Sequence, residues 1–399
     1  MQQIKLVLLR ADYVFGVSVI IFQIINRHSL ASAFFYGTFI ISLLLWIFTL
    51  FDRFDRADML VILIVVLALM NVTLNGISEG VHFSFDYMKK YIMFCCTIIF
   101  FAAARKIAID NLTFRFLEYI FIAVGMIMSF MYLRQNAGMH IMNGYYTQYL
   151  TFRFTNPNLT ALFLSSMIMF MVVAAFREDH TATKYVLFLM AAVEMMFLYQ
   201  TLSRNSLLAT TVFIALTIIL FVLKKDVRLR SWMLWILILA PLIIAIVYLL
   251  LVNNNTFLKV FSFIVSEGKN LDSRVGIWRR AIPMFVESPI IGAYYAISRG
   301  TGISQMHNTH IDVLASYGLV VFGLVCAFLH HVMSDMQSGK TTHTKTVALI
   351  AFVCVLLLGV GEAAMFSGGM GIYLFFGVFL LLTNGHQRDE EYSENSFYK

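Results

Sequence analysis

Two histidines lie three residues apart in Met306–His307–Asn308–Thr309–His310–Ile311–Asp312. An imidazole beside a hydroxyl can take its proton near neutral pH, so either histidine is a candidate general base. The plainer reading is a structural histidine at the start of a helix. If the segment is helical, the two side chains share a face. They could then begin a metal site, but His-x-x-His lacks the Glu and the spacing of the zinc-protease helix, and no third ligand is obvious. No metal or other cofactor is expected.

Three arginines stand in motif-like settings. Arg153 precedes Thr155–Asn156–Pro157–Asn158, Arg204 sits in the turn Ser203–Arg204–Asn205, and Arg274 opens a polar, cationic, Gly-rich stretch from Ser273 to Leu319. Taken singly, each reads as an anchor for lipid headgroups at a membrane interface. Taken together on one face, they suit a phosphorylated ligand, because guanidinium is always charged and presents a planar fork. A convergent set would clamp a diphosphate. Two carboxylates, Glu194 and Glu362, fall within or at the end of apolar runs. A carboxylate there is costly unless it faces a cavity or a partner. Either could orient an arginine, line a substrate pocket or make a helix–helix hydrogen bond. Asp312 reads equally well as an acid stabilised by a helix N-terminus.

The elements that carry these residues are membrane spans. Of 399 residues 60% are hydrophobic and 13% charged, and the mean hydropathy is +0.81. That composition excludes an ordinary soluble domain. Apolar runs of about 17–22 residues recur along the chain, each able to cross a hydrocarbon core of roughly 30 Å. The fold class is therefore an all-α polytopic membrane protein with about 12 transmembrane helices. They are expected near 11–26, 32–52, 57–75, 90–104, 113–133, 157–176, 184–202, 205–223, 231–252, 311–333, 345–364 and 370–384. The first is read as an uncleaved span. Residues 1–384 form one membrane domain, and 385–399 form a polar, disordered tail. The four cysteines, Cys95, Cys96, Cys326 and Cys354, fall inside spans and read as packing residues. A net charge of +7 suits anionic lipids or an anionic substrate. No nucleic-acid partner is expected, because the basic residues flank spans.

Lys and Arg placement sets the orientation. Arg53, Arg56, Arg105, Lys106, Arg177, Lys184, Lys224, Lys225, Arg228, Arg230, Lys340 and Lys345 share one side, so both termini are expected in the cytoplasm. The external side then receives the Arg204 turn, the loop near 134–156 and a long, partly helical loop near 253–310, between spans nine and ten. Within that loop, Thr256–Ser266 is apolar enough for a short surface helix. Asp272 or Ser273, either a good N-cap, opens a second helix to about Glu287, bent at Pro283. Its apolar stripe is Val275, Trp278, Ile282 and Phe285. Arg274 falls roughly 50° from the centre of that stripe, and Arg280 nearly opposite. The Gly-rich stretch Phe366 to Leu374 reads as close helix packing, since no Lys-Ser/Thr follows it.

The order of these motifs resembles a known family. Arg153 with Asn156–Pro157–Asn158, then Ser203–Arg204, then Arg274–x–x–x–Trp278, Ser288–Pro289–x–x–Gly292, His307–Asn308 and Gly318–Leu319 occur in sequence. The set resembles the O-antigen ligase and O-antigen polymerase superfamily of bacterial envelope enzymes, over about residues 145–325 by motif and over the whole chain by topology. Two positions depart from the pattern: Ala293 follows Gly292 where a further Gly is common, and Asn205 follows Arg204 where a small residue is usual.

The resemblance implies a GT-C-like, metal-independent glycosyltransferase. Its donor would be an undecaprenyl-diphosphate-linked oligosaccharide, and its site would face outward from the cytoplasmic membrane. It implies that Arg204 and Arg274 bind the diphosphate and that His307 acts on the acceptor hydroxyl. Arg153, Asn158, Trp278, Arg279, His310 and Glu362 are the substrate-binding candidates. Partners would be the lipid-linked donor, a glycan acceptor, the bilayer, and a chain-length regulator or flippase. A polymerase is preferred to a ligase on generality, because a ligase needs a lipid A–core acceptor. A transporter of lipid-linked sugars would predict repeats or Gly/Pro-broken spans in matching halves, and neither is evident among four prolines. A non-catalytic scaffold would leave Arg204, Arg274 and His307 free to vary.

Overall fold

A helix that is apolar on every side belongs at the centre of its neighbours, and α6 (Pro157–Arg177) is placed there, with 89% of its span buried. In the computed structural model, residues 1–25, 27–78, 80, 85–134, 150–152, 154, 156–223, 225–251, 269–294, 306–366 and 371–384 are described. Side chains are described at all of these except 85, 86, 134, 269–275 and 280. Among the described residues all regular structure is helical. Around α6 stand α1 (Gln2–Ile24), α2 (His28–Leu50), α3 (Arg56–Ser78), α4 (Phe85–Ala104), α5 (Asn111–Arg134), α7 (Thr181–Gln200), α8 (Arg204–Leu223) and α9 (Ser231–Leu251). Then come α10 (Lys269–Glu287), α11 (Thr309–Met336), α12 (His343–Leu358) and α13 (Ile372–Asn384). The inner layer is α6, α13, α12 and much of α4. The outer helices α2, α3, α5, α7, α8 and α9 bury one stripe and leave apolar side chains for lipid.

Among the described residues nine helices, α2 to α9 and α11, are long and apolar enough to cross a membrane. The other three expected spans correspond to α1, which carries Lys5, Arg10 and Asp12, and to α12 and α13, of 16 and 13 residues. The charges of α1 all find partners. Lys5 pairs with Asp52, Arg10 donates to Thr113 at 2.7 Å, and Asp12 accepts from Ser42 at 2.6 Å. The expectation of close packing near the Gly-rich stretch is met where it can be followed. A Cβ on Gly16 of α1 would lie 2.3 Å from Leu374 Cδ1, and Tyr13 donates its hydroxyl to the Leu374 carbonyl at 2.6 Å. All four cysteines are buried thiols.

Two boundaries differ from the sequence expectation. α10 begins at Lys269, so Asp272 and Ser273 lie inside it and neither caps it. Its buried face is Ile277, Trp278 and Ala281, with Met284 beside them, whereas Ile282 is 48% exposed. The stripe is rotated because α11 and Tyr248 of α9, not lipid, supply the surface against which α10 packs. The apolar run expected to continue to 364 stops at Leu358, because Gly359–Val360–Gly361 turns the chain and carries Glu362 into a loop. The segment Thr256–Ser266 lies outside the described residues.

α11 is broken by Gly318, at φ 81° and ψ 175°, a conformation open only to glycine. The break receives the chain that follows α10. A Cβ on Gly318 would lie 2.0 Å from the Ile290 carbonyl oxygen, Leu319 N–H bonds to Pro289 at 2.8 Å, and Ala293 N–H bonds to Ala315 at 2.7 Å. Two motifs far apart in sequence, Ser288–Pro289–x–x–Gly292 and Gly318–Leu319, are thus two halves of one contact. Asn71 and Asn75 of α3 complete it. They donate to the Tyr317 carbonyl at 2.7 Å and the Gly292 carbonyl at 3.2 Å.

Candidate active site

Four loops converge at the end of the bundle where α6, α8 and α11 begin and α12 ends. Asn156 caps α6 by accepting from Asn158 N–H at 2.8 Å, and Pro157 fills the first helical position, where no N–H is needed. Asn158 is thereby fixed in the first turn, and its amide donates to Glu362 Oε1 at 2.6 Å. The other carboxylate oxygen of Glu362 lies 2.9 Å from His307 Nδ1. Thr309 holds the Glu362 loop from below: its N–H bonds to Gly359 at 2.9 Å and its hydroxyl to the Glu362 carbonyl at 3.1 Å. Asn205 of α8 donates to the Leu358 carbonyl at 2.8 Å and packs on Gly361, where a Cβ would lie 3.0 Å away. A residue larger than usual after Arg204 therefore serves as a strap. It brings the start of α8, with the exposed Arg204 side chain, to the Glu362 loop.

His307 is held in a strained backbone. Its φ is +49°, which a residue with a Cβ rarely adopts. Such a conformation persists only when its surroundings over-determine it, and here both neighbours are clamped. The Met306 carbonyl accepts from Trp278 Nε1 at 2.7 Å, and Met306 N–H donates to Asp312 at 3.0 Å. Asn308 donates to the carbonyls of Pro241 at 3.0 Å and Val360 at 3.1 Å, and its Oδ1 caps α11 by accepting from His310 and Ile311 N–H. The Asp312 carboxylate is in turn paired with Lys90 of α4 at 2.9 Å. Among the described residues the other two positive-φ residues besides glycine, Phe152 and Leu202, adjoin Arg153 and the Ser203–Arg204 turn. All three lie beside the arginine and histidine motifs.

The histidines do not share a helix face. His307 precedes the cap of α11, while His310 lies inside the first turn. His310 is buried against the backbone of Ile238 and the ring of Phe322, and its Nδ1 has no hydrogen-bond partner among the described residues. His307 is a quarter exposed, with Nδ1 on Glu362. A carboxylate on Nδ1 selects the tautomer whose Nε2 is a proton acceptor. Of the remaining candidates, Trp278 is buried and acts through Met306, and Arg279 is exposed on the opposite side of α10. Arg274 lies on α10 one turn before Trp278, its side chain outside the described residues, as is Arg153 altogether. Glu194 is buried within α7, and both its carboxylate oxygens lack hydrogen-bond partners among the described residues. Among the described residues no three metal-binding side chains come together. Sequence reading missed Lys90, Asn71 and Asn75. Their signal was polarity inside apolar spans, Asn71 and Asn75 being four residues apart on one face.

A bundle that is all helical among the described residues, with nine helices long and apolar enough to cross a membrane, defines a class, that of a polytopic membrane protein, and it carries a carboxylate–histidine pair on clamped loops at one end. Residues 185–326 match the model of a family described as O-antigen ligase. Over that segment the chain is similar to a family whose members are glycosyltransferase-like enzymes. The matched segment contains Arg204, Arg274 and His307, while Asn158 and Glu362 come from outside it. No curated protein matches the chain.

Proposed function

We propose that the chain is a surface-polysaccharide polymerase of the O-antigen or capsule type. It transfers a glycan from undecaprenyl diphosphate to an acceptor hydroxyl on another lipid-linked repeat unit. The observation that carries this reading is the Asn158–Glu362–His307 relay beside Arg204 at one end of the bundle. The acceptor oxygen attacks the sugar C1, its proton passes to His307 Nε2, and the C1–oxygen bond to the diphosphate breaks. Negative charge gathers on the departing phosphate oxygens. Arg204 and Arg274 meet it there, which stabilises the transition state more than the bound substrate. Glu362 stabilises the imidazolium that forms, and the apolar helices hold the isoprenoid tail. In this reading twelve helices span the bacterial cytoplasmic membrane, both termini are cytoplasmic, the site faces outward, and no metal takes part.

A ligase reading is favoured by the description of the matched family. It needs only a different acceptor, lipid A–core, at the same site. One experiment separates the readings: purified protein in vesicles with its lipid-linked repeat unit and EDTA, products resolved on a gel. A ladder that disappears in Arg274→Ala and His307→Ala supports the polymerase. Transfer only after lipid A–core is added makes it a ligase. Movement of substrate across the vesicle membrane without transfer to either acceptor rejects the enzyme.

A further inference from the structure

The opposite end of the bundle carries a second feature. Between α8, α9 and α12 lies a cavity of about 370 Å³, within the usual size of small-molecule pockets, roughly 300–1,000 Å³. Its walls are apolar apart from Thr346. Leu216 and Ile219 of α8 and Trp232 and Ile236 of α9 line it and are also exposed, so it opens sideways towards the bilayer. α8 ends here, while α9 and α12 begin here. α8 starts and α12 ends at the His307 site, so the length of a span separates the two places.

The cavity is closed at its polar end by residues 225–230, and the way that segment is held matters. Leu229 N–H donates to Gln337 at 2.8 Å and the Leu229 carbonyl accepts from Gln337 at 3.2 Å, while Val227 N–H donates to Thr346 at 3.3 Å. Exposure alternates along Asp226, Val227, Arg228, Leu229 and Arg230. Val227 and Leu229 therefore turn into the cavity, and Arg228 and Arg230 turn outward with Lys225. None of these three cations has an ion-pair or hydrogen-bond partner among the described residues. The single acid of the segment, Asp226, lies towards His343 at 3.8 Å. A tryptophan at the lip, Trp232, is the residue type that settles at headgroup depth.

An apolar slot open to lipid, roofed by unpaired guanidinium groups at headgroup depth, matches one ligand chemistry. We propose that this is a binding site for an anionic phospholipid, one acyl chain lying between α8, α9 and α12 and the phosphate held by Arg228 and Arg230. The occupant is a lipid of the surrounding leaflet, not the glycosyl donor. Any membrane protein has lipid against its outer surface. What distinguishes this site is retention and headgroup preference, because basic groups alone would attract anionic lipid without holding its chain.

Native mass spectrometry of the full chain in detergent provides the test, with equal amounts of dioleoyl phosphatidylglycerol and dioleoyl phosphatidylcholine added. The wild type is expected to retain phosphatidylglycerol preferentially. Changing Arg228→Gln and Arg230→Gln, both exposed, should reduce that preference by about fivefold for each charge removed. Ile219→Trp fills the cavity from its lipid-facing wall and should lower occupancy by either lipid. Equal retention of the two lipids by the wild type would overturn the proposal. So would undiminished phosphatidylglycerol on Ile219→Trp, since the lipid would then sit elsewhere. Displacement of phosphatidylglycerol by undecaprenyl phosphate would also overturn it, by assigning the slot to an isoprenoid chain.

Discussion

His307 depends on Glu362 for two things at once, a tautomer and a place. The carboxylate accepts from Nδ1, and its second oxygen is held by Asn158, so the imidazole is braced from α6. Replacing Glu362 with Gln keeps the size of the side chain but removes the charge that favours imidazolium. Turnover is expected to fall by about 10²-fold or more with little change in KM, by analogy with other acid–base positions. The pH profile should lose the limb that reports the base. Steady-state transfer assays from pH 5 to 9 measure both, and a change confined to KM would assign Glu362 to substrate binding instead. His310, one turn away, was the alternative base in the sequence and a substrate-binding candidate. In the fold it is buried against Ile238 and Phe322 as part of the α9–α11 contact, whereas His307 is partly open to solvent.

At the scale of elements, the break in α11 joins the site to the membrane core. Gly318 permits the turn, Pro289–Gly292 fills it, and α10 is thereby held so that Trp278 can reach Met306. Gly318→Ala would place a methyl inside the Ile290 carbonyl and force a backbone region closed to alanine. A loss of more than about 3 kcal/mol is expected from strain and overlap together, seen as a large drop in Tm or in folded yield. Gly323→Ala, in the same helix with open space around the added methyl, is the control. There the higher helix propensity of alanine should leave Tm equal or slightly raised. Equal behaviour of the two variants would show that the break is not needed.

For the whole molecule, the end away from the site is tied by charge. Arg105, after α4, pairs with Asp55 at 2.5 Å and Asp335 at 2.7 Å, and Lys106 pairs with Asp58. These pairs join the loop before α3, the end of α4 and the end of α11. Burial by itself would push the Asp55 carboxyl up, but the hydrogen bond and charge of Arg105, with Lys106 nearby, hold it at about 2. A carboxylate whose folded value lies below its free value of about 3.9 stabilises the fold above that pH. The contribution is lost as the pH falls from there towards about 2. Arg105→Ala should cost about 3 kcal/mol at pH 7, the lower end for a broken buried pair because Asp335 is partly exposed. It should also move the onset of acid unfolding upward. Tm measured between pH 7 and pH 2.5 in both proteins tests this. An unaltered acid limb would show that Asp55 draws its stabilisation from elsewhere.

Sequence alone determined the class of molecule and the approximate positions of most spans, and it singled out the candidate motifs. Apolar length and charge placement are local quantities, written along the chain and read without knowing what packs against what. The Arg204 turn, the α10 segment and the His307–Asn308 pair were visible because polar residues between apolar spans are costly unless used. Which of those residues meet was decided only by tertiary structure. Glu362 stands 204 residues from Asn158 and 55 from His307, and Lys90 stands 222 from Asp312. Nothing in the periodicity of either partner fixes such a distance. The different surroundings of His307 and His310 are likewise a product of tertiary structure. Helical spacing would have put them on one face, but the clamps on Met306 and Asn308 hold His307 outside the helix, with its ring on Glu362 and partly open to solvent.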